Sequence, residues 1–330
     1  MVSKRRTAAS VAAIAAAAVM TACSNSTSAQ NASAGRPNVD KANWPAKVPQ
    51  HGLAKNLALP LEKYMLSYDD QVTLDQATTH LQQQCMAGYG FHVTLPRPGG
   101  NPPPSTDDAN MERRYGITDP NDAARYGYEL APKFRSHTSQ SIPDLPGVQV
   151  EVLTGHTKPA ITKPKNGKGG YYIAPNSVKP ARTSYNGKAL KKGGCVGWSK
   201  EQIKLDDSDA LFVSQLAGKS LTDSQQEAGV RKTLKAWSSC MNSKGHKNLD
   251  DPYKAMAQGV AAGRGATSQG SVELAVDDVA CKQQTHLVKI WFDAESKIED
   301  KQIAGNRLKL RAIAERHGKA LSAARAQRAK

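Results

Sequence analysis

The sequence predicts a mainly α-helical protein with two disulfide-stapled helical repeats, a long irregular insertion rich in Pro, Gly and Lys, and a basic C-terminal helix. Apolar residues make up only 39% of the 330 residues and aromatics 5%, against the ~45–50% apolar of an average globular chain. Apolar residues recur at helical spacing in two segments, and both segments close with the motif C-M-x-x-x-G. A modest helical core is therefore expected, and a polytopic membrane protein is excluded.

Residues 1–22 predict a signal peptide. Basic residues at 4–6 precede an uncharged run at 11–19, which is too short for the ~20 apolar residues of a membrane-spanning helix. The run ends V-M-T-A before Cys23, which resembles a bacterial lipobox and implies cleavage there and attachment of diacylglycerol to the Cys23 sulfur. Residues 23–58 are then expected to be a lipid anchor and flexible tether on the outer face of the cell membrane. The alternative is an ordinary secretory signal with an incidental cysteine.

Four further cysteines suggest two disulfides, because exported proteins meet an oxidising compartment. They are Cys85, Cys195, Cys240 and Cys281. Four cysteines allow three connectivities. The two C-M-x-x-x-G motifs each end a helical pattern, and each is followed by a loop and a cysteine at or within a new helix. This repetition predicts the pairs Cys85–Cys195 and Cys240–Cys281, one staple in each repeat.

A metal site is the alternative use of the second cysteine pair. Together with His246 and His286, Cys240 and Cys281 would supply two thiolates and two imidazoles, a ligand set that zinc accepts. The spacing is wider than that of a zinc finger, and exported thiols oxidise. No metal and no cofactor is therefore predicted.

The first repeat is expected over residues 59–220. A serine followed three residues later by an aspartate, close to a capping box, predicts a helix over 69–88. Five prolines between 92 and 106 exclude a helix there. An Asp-Pro pair then predicts a short helix over 120–128, because aspartate caps helices and proline suits their first position.

The irregular insertion is expected over residues 131–194, with short strands around 148–153 and 171–173. Its segment 158–192 holds nine Lys and Arg and no acidic residue. A stretch this long inside a compact domain is typical of a functional or disordered segment. The candidate residues for binding a polyanion here are Lys163, Lys165, Lys168, Lys188, Lys191 and Lys192.

The second repeat is expected over residues 221–293. Capping boxes at Ser199 and Thr222 predict helix starts, an Asp-Pro pair at 251–252 predicts another, and a helix over 271–293 would carry the last cysteine.

The chain ends in a basic helical tail, expected over 294–330. From 301 to 330 it has nine Lys and Arg against one acidic residue. The candidate binding residues in the tail are Arg307, Lys309, Arg311, Arg316 and Lys319.

No catalytic residue is predicted. The motifs G-x-S-x-G, H-E-x-x-H and S-x-x-K are absent from the sequence. Adjacent aspartate pairs recur, and helix capping is their predicted role, since neighbouring side chains on a helix point apart. An envelope hydrolase or transferase with dispersed catalytic residues stays open as an alternative.

Several motifs together resemble a family of uncharacterised actinobacterial lipoproteins. They include L-P-L at 59–61, R-Y-G-I-T-D at 114–119, Y-N-G at 185–187 and the two C-M-x-x-x-G segments. The resemblance covers roughly residues 59–290. It implies a surface-exposed lipoprotein and transfers no activity.

The predicted function is that of a membrane-tethered, non-catalytic binding or structural protein. Its net charge of +16 and its two basic stretches predict contact with anionic cell-wall polymers or lipid head groups. Nucleic acid would attract the same charges, but the compartment argues against it. The alternatives are a solubilising charge run without a partner, and an envelope protein as the partner.

Overall fold

Helices account for most of the described chain, which confirms the predicted mainly α-helical fold. The computed structural model describes residues 44–99, 111–131, 144–162, 172–174, 176–263 and 267–328. The predicted signal peptide, Cys23, and the residues Lys163, Lys165 and Lys168 lie outside the described residues. The helices are α1 (Tyr68–Gly88), α2 (Pro120–Tyr126), α3 (Gly147–Thr154), α4 (Gly194–Ile203), α5 (Asp207–Ser224), α6 (Ala228–Ser243), α7 (Pro252–Gly263), α8 (Gln269–Thr285), α9 (Leu287–Gly305) and α10 (Arg307–Arg328).

Helix α1 begins where the sequence predicts. The Ser67 side chain accepts a hydrogen bond from the backbone N–H of Asp70 at 3.2 Å, which satisfies one of the free N–H groups of the first turn. A short 3-10 helix, Pro60–Tyr64, precedes it. Leu74, Ala77 and Leu81 form the buried face of α1, as expected from their spacing on a helix.

The two C-M-x-x-x-G motifs end their helices in the same way. Gly90 and Gly245 follow α1 and α6 with φ of +86° and +93°, a conformation that glycine adopts without steric cost. The N–H of the next residue, Phe91 or His246, donates to the carbonyl of the motif methionine at 3.0 Å in both cases. The repetition in sequence is therefore a repeated helix terminus.

Both predicted disulfides are present. Cys85 is bonded to Cys195, and Cys240 to Cys281, with Cα–Cα distances of 5.6 and 5.7 Å and sequence separations of 110 and 41. The first joins α1 to α4 and the second joins α6 to α8. Closing loops of these lengths restricts the unfolded chain by roughly 4.8 and 3.9 kcal/mol in the chain-entropy model.

Residues 148–153 form helix α3, so the strand predicted there is wrong. Alternating valines gave the strand pattern, but Val152 is buried between α1 and α4, and the helix ends at Gly155 with φ of +75°. A Cβ on Gly155 would lie 2.8–2.9 Å from the backbone of Gly193 and Gly194. Close contact between these two glycine segments fixes α3 against the start of α4.

Four short strands follow α3. They are β1 (Ile161–Thr162), β2 (Tyr172–Ile173), β3 (Ser184–Tyr185) and β4 (Lys188–Ala189). Strand β2 confirms the second strand predicted in the insertion. β1 pairs with β2 and β3 with β4, both antiparallel.

Two predicted capping boxes are wrong, and two other caps are present. Ser199 lies inside α4 and its hydroxyl donates to the Val196 carbonyl, and Thr222 lies near the end of α5. Helix α5 is instead capped by Asp206, which accepts from the N–H of Ser208 at 2.9 Å. The start predicted at Asp251 is confirmed, since its carboxylate accepts from the N–H groups of residues 253 and 254.

The last part of the chain contains two helix breaks that the sequence analysis missed. His286 has φ of +54° and separates α8 from α9, so the single helix predicted over 271–293 is wrong. Asn306 separates α9 from α10 in the region predicted as one tail. The break at His286 carries no glycine or proline, the residues that usually signal one, whereas Gly305 directly precedes the break at Asn306.

The hydrophobic cores cross the predicted repeat boundaries. The boundaries at 220 and 293 fall inside α5 and α9. The largest core packs Tyr115 and Tyr128 of the first predicted repeat with Trp237, Trp291 and other residues of α6, α8 and α9.

Helix α10 packs into the body as well. Leu310 and Ile313 contact α5 and the 3-10 helix, and Ala320 and Ala324 contact α1 and α4. Residues 294–328 are thus part of the packed bundle and do not form a separate tail.

Candidate anion-binding surface

The first disulfide joins two stretches of chain that lack acidic residues. No Asp or Glu occurs from 76 to 106 or from 152 to 200, and together these stretches contain eleven Lys and Arg. Cys85 and Cys195 link them covalently. We call the described residues of these two stretches the acid-free lobe.

A tight hairpin forms one side of the acid-free lobe. Strands β3 and β4 are connected by Asn186 and Gly187, with φ of +46° and +73°, values that match the two-residue turn favoured by Asn-Gly. The Tyr89 hydroxyl donates to the Ala189 carbonyl at 2.8 Å, and the rings of Phe91 and Tyr185 lie 4.9 Å apart. The hairpin is thereby held against the end of α1.

Four exposed lysines of the acid-free lobe have no ion-pair partner within the described residues. These are Lys179, Lys188, Lys191 and Lys192. Lys188 donates to the carbonyl of Gly88 at 2.7 Å, which caps α1, and the Lys191 ammonium lies 6.0 Å from the Trp198 ring centroid. The positive charge of these side chains stays available to an external anion.

Two further basic residues of the acid-free lobe, Arg182 and Lys158, form ion pairs. Arg182 forms a two-pronged ion pair with Glu151, with N–O distances of 2.9 and 3.1 Å. Lys158 pairs with Asp144 at 2.5 Å. Because both acids come from α3 and the residues before it, the lobe itself supplies no compensating charge.

Several basic side chains of helix α10 form ion pairs or ring contacts with other described residues. Arg316 holds the buried carboxylate of Asp209 with two contacts of 2.6 Å, and the Lys309 ammonium lies 3.3 Å from the Phe212 ring centroid. Arg311 pairs with Glu315 at 3.1 Å. Arg307 and Lys319 are exposed and form no ion pair with described residues.

Two buried glutamates form the most prominent ionisable cluster of the described chain. Glu295 is fully buried and accepts hydrogen bonds from Arg114 at 2.5 Å and from the Tyr115 hydroxyl at 2.7 Å. Glu299 accepts from the backbone N–H of Leu61 at 2.8 Å. Burial raises the pKa of Glu299.

Ser220 lies between the two carboxyl groups. Its hydroxyl is 2.9 Å from Glu295, 3.0 Å from Glu299 and 2.8 Å from the Ala217 carbonyl, and it has one hydrogen to donate. Glu295 is paired with the Arg114 guanidinium, whereas burial favours the protonated form of Glu299.

A second buried network lies in α8. The carboxylate of Asp278 accepts from Lys282 at 2.9 Å, from the Tyr128 hydroxyl at 3.0 Å and from the Trp237 ring N–H at 2.9 Å. Lys282 also donates to the carbonyl of Ile117 at 2.7 Å. The aspartate pair at 277–278 was predicted to cap a helix, and this is wrong, because it lies in the middle of α8.

Two surface depressions of the described chain hold no pair of acidic side chains. An open groove of about 720 Å³ lies between α6 and the junction of α8 and α9 and has no Asp, Glu or His in its lining. Its lining residues are Gly229, Lys232, Thr233, Ala236, Ser239, Cys240, Gln284, Thr285 and Ile290. A smaller depression of about 190 Å³ at the start of α1 contains Asp69 alone of the acidic residues.

The four-ligand metal set is not assembled. The Cys240 and Cys281 sulfurs are bonded to each other, and the His246 ring lies 2.8 Å from Asp277. Among the residues that the structure describes, no group of three or more His, Cys, Asp and Glu is arranged to hold a metal ion.

The structure brings together only some of the predicted binding residues. Lys188, Lys191 and Lys192 lie on the acid-free lobe, whereas the candidates of the tail lie on α10 and are divided between ion pairs, a ring contact and solvent. The buried glutamates and the Asp278–Lys282 pair are not predicted from the sequence. Their one local signal is that Glu295 and Glu299, like Asp278 and Lys282, are four residues apart, which places each pair on one helix face.

No protein family, curated protein or solved structure matches the chain in comparisons of each kind. None of the described helices is both long and apolar enough to cross a membrane.

Proposed function

We propose that this is a lipid-anchored extracytoplasmic protein, acylated on Cys23, that binds anionic polymers of the cell envelope through the acid-free lobe. The observation that supports the binding role is the group of exposed lysines that form no ion pair with described residues, on two disulfide-linked stretches that contain no acidic residue. The proposal of a lipid anchor is supported by the sequence before Cys23. It agrees with the resemblance of the chain to actinobacterial lipoproteins.

The charge arrangement of the lobe suits a repeating polyanion. A ligand with regularly spaced phosphates or carboxylates contacts several lysines together, and clustered charge of one sign raises its local concentration. Lysine ammonium groups are mobile point charges and need no fixed geometry in the ligand. Such a surface favours polymers over a single small anion, which would need a preformed pocket.

A catalytic role has less support in the geometry. Glycan cleavage needs two carboxyl groups facing a substrate across ~5–9.5 Å. The carboxyl pair that the fold brings together, Glu295 and Glu299, is buried and bonded to Arg114, Tyr115 and Ser220. We therefore place binding ahead of hydrolysis.

Two charge-matched variants test the binding role. In the lobe variant, Lys179, Lys191 and Lys192 become Gln; Lys188 is left intact because it caps α1. In the control variant, Lys301, Arg307 and Lys319 become Gln, which removes the same charge from exposed positions on α9 and α10. Both variants are compared with the unaltered chain in co-sedimentation with purified cell-wall sacculi across a salt series.

We expect binding that weakens with salt and that falls much more in the lobe variant than in the control. The reason is that the lobe lysines lie on stretches of chain without acidic residues. Equal losses in the two variants would show that net charge alone matters. Binding by the lobe variant at the level of the unaltered chain would contradict the proposed function.

The anchor is tested separately. Cys23→Ser should abolish incorporation of radioactive palmitate and release the protein from the membrane fraction, since two acyl chains hold a protein to a bilayer and no acyl chain remains. Palmitate incorporation by the Ser variant would contradict acylation at this position.

A further inference from the structure

A two-stranded ribbon extends from the base of the acid-free lobe. It starts where the N–H of Ala181 donates to the carbonyl of Gly155 at 3.0 Å, and it continues where the N–H of Thr157 donates to the carbonyl of Lys179 at 2.8 Å. It ends in β1 and β2. We call the described residues between 155 and 181 the ribbon; at about 3.3 Å per residue, its first strand reaches roughly 23 Å from Gly155.

The ribbon exposes large aliphatic side chains. Ile161 is 69% exposed, Ile173 43% and Val178 45%. Ile161 and Ile173 are direct cross-strand partners, and such partners lie on the same face of a ribbon. Scattered exposed apolar residues are common on protein surfaces, but Ile161 and Ile173 form an exposed cross-strand pair, which we call the apolar edge.

Positive charge lies on the same ribbon. Lys179 is exposed and has no ion pair within the described residues. The rest of the ribbon belongs to a stretch without Asp or Glu. Aliphatic side chains next to lysines are typical of protein segments that lie at the surface of an anionic bilayer.

We propose that the ribbon inserts Ile161 and Ile173 into the head-group region of an anionic lipid bilayer, as a second membrane contact beside the acylated Cys23. This inference rests on the proposed extracytoplasmic function. The apolar edge decides between a bilayer and a polymer, because a hydrated polyanion buries little aliphatic surface whereas the acyl boundary of a bilayer does. Lys179 of the same ribbon supplies positive charge for the phosphates of the lipid.

Vesicle flotation tests this inference with the chain that lacks only residues 1–23, which precede every described residue. Vesicles of phosphatidylglycerol and phosphatidylcholine in equal parts are compared with vesicles of phosphatidylcholine alone. The ribbon variant carries Ile161→Ser and Ile173→Ser. The matched control is Leu308→Ser, because Leu308 is an 81% exposed aliphatic residue between two basic residues on α10.

We expect the unaltered chain and the Leu308 variant to bind the anionic vesicles equally. The ribbon variant should bind them roughly tenfold more weakly, given the apolar surface it no longer buries. Ile161→Trp should bind at least as tightly as the unaltered chain, because indole rings favour the membrane interface. All variants should bind neutral vesicles weakly.

Unchanged binding of anionic vesicles by the ribbon variant would overturn the inference, as would equal losses in the ribbon and Leu308 variants. Soluble polyphosphate separates this result from the proposed function. The ribbon variant should bind polyphosphate like the unaltered chain, and the lobe variant should not. Loss of polyphosphate binding in the lobe variant with unaltered vesicle binding in the ribbon variant would leave the function standing and the ribbon without a membrane role.

Discussion

The acid-free lobe and helix α10 are both rich in Lys and Arg, but the fold treats their charges differently. In α10 the Arg316 guanidinium forms an ion pair with the buried Asp209, and the Lys309 ammonium lies over the Phe212 ring. The apolar residues of α10 pack into two hydrophobic cores. In the lobe, Lys179, Lys191 and Lys192 face solvent without an ion pair in the described chain. Basic composition alone therefore does not identify a binding surface, since the placement of acidic residues decides which charges stay available.

Deletion is the most drastic way to compare the two regions. Removing residues 307–330 exposes the faces of the 3-10 helix, α1, α4 and α5 that α10 covers, including Leu61, Leu74 and Val213. We expect this variant to lose its cooperative thermal transition, because several buried aliphatic side chains lose their contacts and each can contribute about 2–5 kcal/mol.

The matched deletion replaces residues 161–173 with Asn-Gly, which closes the ribbon one pair earlier. That variant should keep its melting temperature within a few degrees, since the removed and described side chains of β1 and β2 are largely exposed. A greater loss of stability from the shortened ribbon than from the missing helix would refute the comparison.

The two disulfides are expected to differ in their effects on stability and on binding. Cys85→Ala with Cys195→Ala should lower the free energy of unfolding by up to ~4.8 kcal/mol, and Cys240→Ala with Cys281→Ala by up to ~3.9 kcal/mol. Loss of the Cys85–Cys195 disulfide should also weaken binding to sacculi, because this disulfide joins the two stretches of the acid-free lobe. Chemical denaturation gives the stabilities, and a binding loss restricted to the second pair would contradict the assignment of the lobe.

The two buried glutamates are expected to respond differently to replacement by Gln. Glu295→Gln removes the only carboxylate that pairs with the buried Arg114 among the contacts described above, and breaking such a pair costs about 3–5 kcal/mol. Glu299→Gln should be tolerated better, because burial raises the pKa of Glu299 and favours its neutral form, and the Gln amide can still donate to Ser220.

The pH dependence of these variants has a definite sign. Because burial raises the pKa of Glu299 in the folded state, its contribution to stability is fully present below its ordinary pKa of 4.5 and is lost as pH rises through the raised value. The Gln variant lacks this titration, so its stability relative to the unaltered chain should improve from acidic to neutral pH. Urea denaturation of both proteins at a series of pH values measures the difference, and parallel curves would show that Glu299 ionises normally.

The sequence predicts local features better than tertiary ones. Caps with a direct side-chain signal, such as Ser67 and Asp119, lie where expected, and the repeated motif identifies the cysteine partners. The break at His286 was missed because it depends on a left-handed residue without glycine. The alternating valines of 148–153 follow the strand period, but packing against α1 and α4 makes them helical.

The candidate binding residues show the same difference between local features, which the sequence predicts, and tertiary contacts, which it does not. Local composition identifies both basic stretches, because a run without acidic residues is visible in the sequence. It does not show that Arg316 will meet Asp209, 107 positions away, on another helix. Compensation of charge is a long-range property, so local composition does not show which charges of the tail stay available.

Two arginine–carboxylate pairs give the finest comparison of the two regions. Arg316 holds Asp209, whose side chain is 5% exposed, whereas Arg182 holds Glu151, whose side chain is 14% exposed, at the edge of the acid-free lobe. Both pairs have two N–O contacts, but the first links α10 to α5 and the second links a loop to α3. Arg316→Gln should therefore lower the melting temperature more than Arg182→Gln, because it leaves the more deeply buried carboxylate without its cation. Asp209→Asn introduced together with Arg316→Gln should recover part of the loss, since the uncompensated charge is then gone; no recovery would mean that the pair contributes through packing and not through its charge.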